Sequence, residues 1–371
     1  MLGIDLGGAM GGRIVAATVE GAREAGGGAR FDVGRPIRGT TEVTTLEEAP
    51  ALRQRLLQPR MLLGLVAVVI ALVVVTRAGL GLDWREVWTL SRQANPWLLT
   101  LAFVVFYTTF PVRALRWRVL LGNVGYRREA GRAMPSLAGL TEMLYRSWFV
   151  NCVTVARLGD VYRGYLLKRA AGVSAAVTLG TVVTERLVDL GVLAAMVAVA
   201  TPVAFHGQIP REAWEAAAVG LGVVVIAIAA LVSLSRFRAL VERVVPERFH
   251  DGYRRLIGGV AGSFRRVPAL IGYSAAGWVI EGTTLYLVAA AVGAPVSVAG
   301  AVVAALVGSL LTVIPITPSG LGLTEAGMII LLGRLGLDAG SAAAVTLLVR
   351  VINYWSIVVL GSVIYVVRRR A

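Results

Sequence analysis

Residues 157–163 read Arg157-Leu158-Gly159-Asp160-Val161-Tyr162-Arg163, and the apolar stretch that follows carries Glu185, Arg186 and Asp189. About 165 residues later a related pattern returns: Pro318, Gly320-Leu321-Gly322 and Glu325 precede an apolar stretch carrying Arg350, Asn353 and Tyr354. Ala-Ala-Val-Thr-Leu stands at 175–179 and again at 343–347, and Arg186/Asp189 align with Arg350/Asn353 after a small gap. A glycine-rich turn followed by a long apolar helix with polar groups near its middle therefore reads as an element used twice. Internally duplicated transporters are built this way, with the site at the repeat interface.

Composition sets the class around that core. Of 371 residues 57% are hydrophobic, at a mean hydropathy of +0.73, far beyond a soluble domain of this length. An all-α, polytopic integral membrane protein is expected. The single cysteine, Cys152, and two histidines exclude a disulfide framework and a thiolate metal cluster, and no cofactor is expected. The net charge of +15 is almost wholly arginine, since Lys168 is the only lysine. Such an excess suits anionic lipid or nucleic acid; hydropathy and the position of arginines at helix ends favour lipid headgroups over nucleic acid.

Apolar runs near 61–76, 97–117, 174–203, 213–234, 268–292 and 341–367 have the length of about 20 residues that crosses hydrocarbon. Two more, 136–155 and 297–334, carry polar residues or are cut by Pro315, Pro318, Gly320 and Gly322, and read as broken or re-entrant helices. Six full spans plus these two is the expectation, with eight full spans as the alternative. Residues 1–57 read as a mostly disordered, Gly-rich cytoplasmic tail ahead of a membrane domain over 58–371, and a secretory signal is not expected. The basic segments 113–132, 157–169 and 236–266 fall on one side only if 136–155 dips in and returns. Both termini are then cytoplasmic and the two repeats inverted. Trp84, Val87, Trp88 and Ser91 share one helical face, which reads as an interfacial helix.

The charges inside the spans carry the functional expectation. Glu185 and Arg350 fall near the midplane, where each charge costs about 2.5–3.5 kcal/mol, so partners and an interior cavity are required. Glu185 and Asp189 are four apart with Arg186 between them, which makes a local cluster geometrically easy. The Pro318–Glu325 turn presents free backbone N–H groups at a helix start, an anion-binding geometry, although Glu325 can instead cap those groups or pair with an arginine. Arg157 and Arg163, flanking Gly159-Asp160 at the cytoplasmic surface, can clamp a phosphate or serve as anchors. Pairing that only holds the bundle together is the alternative reading of all these charges.

Asn151 to Arg163, the Glu185-Arg186-x-x-Asp189 helix, the Pro-x-Thr-Pro-x-Gly-x-Gly-x-x-Glu turn, Arg350 to Tyr354 with Gly361, and Arg113-x-x-Arg116-Trp117 together resemble the lysylphosphatidylglycerol synthetase transmembrane family, also called flippase-like. The likeness covers about 60–368, departing at Val155-Ala156 where a proline is common. It implies movement of aminoacylated phosphatidylglycerol between leaflets. Only Arg368–Ala371 follows the last span, so no soluble aminoacyltransferase domain is expected here, nor lipid synthesis by this chain. No Walker-type nucleotide loop is present, which leaves downhill or ion-coupled transport. Under this reading Asn151, Arg157, Asp160, Arg163, Glu185, Arg186, Asp189, Pro318, Gly320, Gly322, Glu325, Arg350, Asn353 and Tyr354 bind a membrane phospholipid or lipid-linked substrate in the cell membrane. Two other readings stay open: a membrane glycosyltransferase or its accessory, with Asp83 and Glu86 as the simple candidates, and a scaffold for a separately encoded lipid-modifying enzyme or glycosyltransferase. Oligomerisation is compatible with each.

Overall fold

The computed structural model describes residues 82–126, 134–154, 157–207, 246–312 and 318–367, with isolated positions 222, 226, 229 and 233. The expected tail, the run at 61–76, most of that at 213–234, the departure at Val155-Ala156, Pro315 and residues 236–245 lie outside them. The described residues form helices, with no strand among them. Four helical stretches are long and apolar enough to cross a membrane: Pro96–Asn123, Ala175–Ala204, Val267–Val292 and Ala339–Ile364.

Local chemistry starts and stops these helices. Helix α1 (Trp84–Gln93) begins where the Asp83 carboxylate accepts from Arg85 N at 2.9 Å. Its expected apolar face is split: Val87 is buried, whereas Trp88 is 65% exposed. The reason is packing against the helix at 339–350, where Glu86 lies so close that a Cβ on Gly340 would stand 2.7 Å from its Cδ. Helix α2 (Pro96–Tyr107) is capped by Asn95 Oδ1 on the N–H groups of Trp97 and Leu98, with Pro96 in the first turn where its missing N–H costs nothing. Pro111 then deprives the Tyr107 carbonyl of its donor, and the chain re-aims at Thr108 into α3 (Thr109–Asn123).

Two helical hairpins follow, each leading into a long helix. The first is α4 (Leu137–Val153) folded back on α5 (Leu158–Ala171), then α6 (Ala175–Ala204). After α7 (His250–Ser263) and α8 (Val267–Val292) comes the second: α9 (Val298–Leu311) folded back on α10 (Leu323–Arg334). It leads into α11 (Ala339–Arg350), one π-type turn at Val351–Trp355, and α12 (Ser356–Val367). The segment 157–169, expected at the membrane surface, is thus the return leg of a hairpin: Gly159, Arg163, Gly164 and Leu167 of α5 are buried. Two of its charges, Asp160 and Arg163, are paired with Arg186 and Glu185 on α6.

Each hairpin packs on its own apolar core. Leu140, Leu144 and Leu167 of the first meet Trp117, Leu120, Val177 and Leu270. Ala301, Ala304, Met328 and Leu332 of the second meet Phe106, Leu285 and the alanine stripe Ala342–Ala344, whose small side chains permit close approach.

Candidate functional site

The tips of the two hairpins touch. Ser319 Oγ donates to the Asn151 carbonyl at 3.2 Å, and Arg157 Nη2 donates to Thr312 Oγ1 at 3.4 Å. Each tip carries a non-glycine residue in the left-handed region, Arg157 at φ 54° and Ser319 at φ 47°. That conformation costs an L-residue about 1–2 kcal/mol and persists only where surroundings enforce it. At the first tip Asn151 Oδ1 accepts from Gly159 N at 2.8 Å and Ser147 Oγ donates to the Gly159 carbonyl at 2.8 Å. The Tyr354 hydroxyl, carried by the π-type turn, donates to the Cys152 carbonyl at 3.0 Å and so pins this tip to the helix beyond the second hairpin.

Five carboxylates, three of them buried, and six arginines gather around these tips. Arg116, 1% exposed, grips Asp189 with both terminal nitrogens, Glu185 at 2.7 Å and the Ser274 hydroxyl at 2.6 Å. Arg163 meets the other Glu185 oxygen at 2.8 Å and lies over the Trp117 ring. Arg113 pairs with Glu281 at 2.7 Å between the rings of Trp148 and Trp278. Arg186 pairs with Asp160 at 3.0 Å. Glu325 does two jobs at once: Oε2 accepts from Gly322 N at 2.6 Å and Oε1 from Arg350 Nε at 2.5 Å. Gly322, at φ 90°, and Gly320, at φ 68°, supply a backbone that L side chains rarely adopt. Arg157 is the remaining arginine: among the described residues no carboxylate lies within ion-pair distance of it.

A cavity of about 320 Å³ opens between the tips. Of the expected site residues it is lined by Asn151, Arg157, Asp160, Arg186, Asp189, Arg350, Asn353 and Tyr354, with apolar wall from Phe106, Trp148, Leu193 and Trp278. Arg163, Glu185, Gly320, Gly322 and Glu325 stand behind it, and Pro318 opens the short turn between the second hairpin's legs. The expected clamp of Arg157 with Arg163 is not formed, because Arg163 is turned inward onto Glu185. Nor does Arg186 close a local cluster with Glu185 and Asp189; adjacent helix positions point apart, and its partner comes from α5. Glu281 was missed, although it is the one charged residue of α8 and the rule applied to Glu185 applies to it equally. Trp148 and Trp278 carried no sequence signal, and Arg113 and Arg116 entered only through the family pattern.

The chain matches, over residues 62–361, the model of the family described as the lysylphosphatidylglycerol synthase TM region. It is 32% identical to a UPF0104 membrane protein of Methanocaldococcus jannaschii over 228 residues, 60% of this chain and 95% of that protein. To the glycosyltransferase AglD of Haloferax volcanii it is 29% identical over 323 residues, 76% of this chain but 50% of AglD, so it corresponds to half of that protein. A UPF0104 membrane protein of Methanothermobacter thermautotrophicus is 25% identical over 73% of this chain and 83% of its own length.

Proposed function

This multi-pass membrane protein belongs to the lysylphosphatidylglycerol synthase transmembrane-region family, and from that premise we propose that it moves an anionic, aminoacylated or polyprenyl-linked phospholipid between leaflets. The observation that carries the proposal is Arg157. Every other arginine of the cluster has a carboxylate partner, so the cavity holds one uncompensated cation at the seam of the hairpins. A charge buried this way is costly unless an anion completes it. One phosphodiester supplies one negative charge, and the tryptophan wall suits the glycerol or prenyl carbons beside it. A volume of about 320 Å³ accommodates a headgroup, leaving the tails in lipid.

On this reading the hairpins are re-entrant. At 1.5 Å per residue, α4, α5, α9 and α10, at 12 to 17 residues, are shorter than the roughly 30 Å of hydrocarbon, and irregular backbone at that depth survives only where it lines a cavity. The order hairpin, then long helix, occurs twice, with Arg157 and Ser319 at equivalent tips, which supports an inverted repeat rocking about a fixed site. Both termini are placed in the cytoplasm, and the chain acts without catalysing bond chemistry itself. Likeness to half of AglD favours one second reading, an accessory that presents or moves a lipid-linked sugar for a glycosyltransferase partner.

The test is lipid scrambling in liposomes with purified protein, using fluorescent phosphatidylglycerol, its aminoacylated form and a polyprenyl phosphate, read by dithionite quenching of the outer leaflet. Accelerated equilibration of one lipid, lost in Arg157→Gln, is expected. No acceleration of any of the three would sink the transport reading.

A further inference from the structure

The cavity between the hairpin tips has a charge balance that specifies its ligand. Four arginines and three carboxylates line it, and behind them stand Arg116 and Arg163 with Glu185 and Glu325. On either count, among the described residues, one positive charge is left over. Both oxygens of each of the five carboxylates are already engaged. Asp160 gives both to Arg186, at 3.0 and 3.1 Å, and Asp189 gives both to Arg116. Glu281 divides its pair between Arg113 at 2.7 Å and the Ser309 hydroxyl at 2.5 Å, and Glu185 divides its own between Arg116 and Arg163. Glu325 is held by Arg350 and by Gly322 N. No carboxylate is left to balance an ammonium, and the surplus charge at Arg157 repels one. Two lining residues carry an uncharged polar atom without a hydrogen-bond partner: Asn353, through Oδ1, and Trp278, 8% exposed, through its indole N–H. A hydroxyl both accepts and donates and so can serve either of them, whereas an ammonium only donates.

We infer that the cavity selects a phosphodiester lipid whose headgroup carries hydroxyls and no further charge, a glycerol or a sugar, and discriminates against an aminoacylated one. The inference rests on the transport reading above and narrows its substrate. One phosphodiester brings one negative charge to one surplus positive charge. An alanyl ester adds an ammonium and a lysyl ester adds two, so that cavity and headgroup together stay positive. A phosphate monoester, at about −1.5 to −2 near neutral pH, errs in the other direction. Charge left unmatched inside the protein is screened far less than in water, so each such mismatch weakens binding. The hydroxyls then separate a glycerol or sugar from a plain alkyl ester of the same charge, because only they reach Asn353 and Trp278 with both a donor and an acceptor.

Thermal unfolding of the full chain in detergent micelles reads this selectivity without a transport assay. The probes share dioctanoyl tails: phosphatidylglycerol, its lysyl ester, phosphatidic acid, and phosphatidylethanol, which has the charge without the hydroxyls. Phosphatidylglycerol is expected to raise the melting temperature saturably, with an apparent affinity about tenfold or more above each of the other three. A prenyl phosphoglucose is run beside them; its rank against phosphatidylglycerol names sugar or glycerol as the source, and either order supports the inference. Arg186→Gln releases the Asp160 charge into the cavity and leaves Arg157 in place. It is expected to shift the ratio of affinities toward the lysyl ester by about tenfold or more, whereas a merely structural role for Arg186 would lower all affinities alike. Wild-type protein that binds the lysyl ester as tightly as phosphatidylglycerol overturns the inference, as does a ratio unmoved in Arg186→Gln or the absence of a shift with every probe. Scrambling of the lysyl ester alone, or of polyprenyl phosphate alone, would sink it while leaving transport standing.

Discussion

Glu325 Oε1 lies 2.5 Å from Arg350 Nε while its other oxygen caps the helix on which it rides, so one carboxylate fixes both the second hairpin and the long helix that follows. Glu325→Ala would leave Arg350 buried without its counter-charge and is expected to destabilise the protein by about 3–5 kcal/mol. Glu325→Ala with Arg350→Met should cost less than the sum of the two single changes, measured as a coupling energy from thermal or denaturant unfolding in micelles. Strict additivity would show that the two residues do not act as a pair.

Arg157→Gly is expected to move stability and function in opposite directions. Glycine adopts the left-handed backbone freely and removes an uncompensated cation, so unfolding should become harder by about 0.5–1 kcal/mol. Lipid movement should fall at least tenfold in the liposome assay. A variant that is both less stable and less active would assign Arg157 to holding the tip rather than to the headgroup.

Gly159→Ala tests how tightly the first tip is closed. A Cβ there would overlap the Ser147 carbonyl oxygen, which is backbone and cannot move aside, and would stand 2.6 Å from Asn151 Oδ1. A loss of about 1–3 kcal/mol is expected. Gly191→Ala on α6 meets nothing within 4 Å and should stabilise by up to about 1 kcal/mol through helix propensity alone. Unfolding midpoints of the pair, measured side by side, check both signs.

Asp338 caps α11 by accepting from Ser341 N at 2.8 Å, and that backbone hydrogen bond holds its carboxyl below the usual carboxylate range. A depressed folded pKa means that the cap contributes fully above about pH 3.9, and the contribution fades as pH falls through the lowered value. Asp338→Ala is expected to cost about 0.5–1 kcal/mol at pH 7, the low end for an exposed cap. The gap from wild type should close in strong acid. Asp338→Asn should keep most of the cap at every pH.

The long apolar spans were legible from hydropathy because burial in lipid or protein demands it along the whole helix: 97–117, 174–203, 268–292 and 341–367 each fall, to within a residue, inside a long helical stretch found there, the first broken at Thr108. The charge partners were not. Arg116 reaches Asp189 across 73 residues and Arg113 reaches Glu281 across 168, separations at which spacing along one helix says nothing. Arg186 shows the same limit in reverse, since its neighbours in sequence are not its neighbours in space. Helix α5 shows the limit too: Asp160 and Arg163 look unpaired until α6 supplies Arg186 and Glu185. The π-type turn that orients Asn353 and Tyr354 follows no residue pattern that can be read from one sequence.

The bonds joining the hairpin tips, Ser319 to a carbonyl and Arg157 to a hydroxyl, are of a kind that any oxygen can replace. A phosphate arriving at Arg157 offers that guanidinium a charged acceptor in exchange for a neutral one at 3.4 Å, so the ligand displaces part of the latch instead of having to wait for it to open. Under the proposed function, entry and unlocking would then be one event, and the tips would stay joined until a phosphate competes for the arginine.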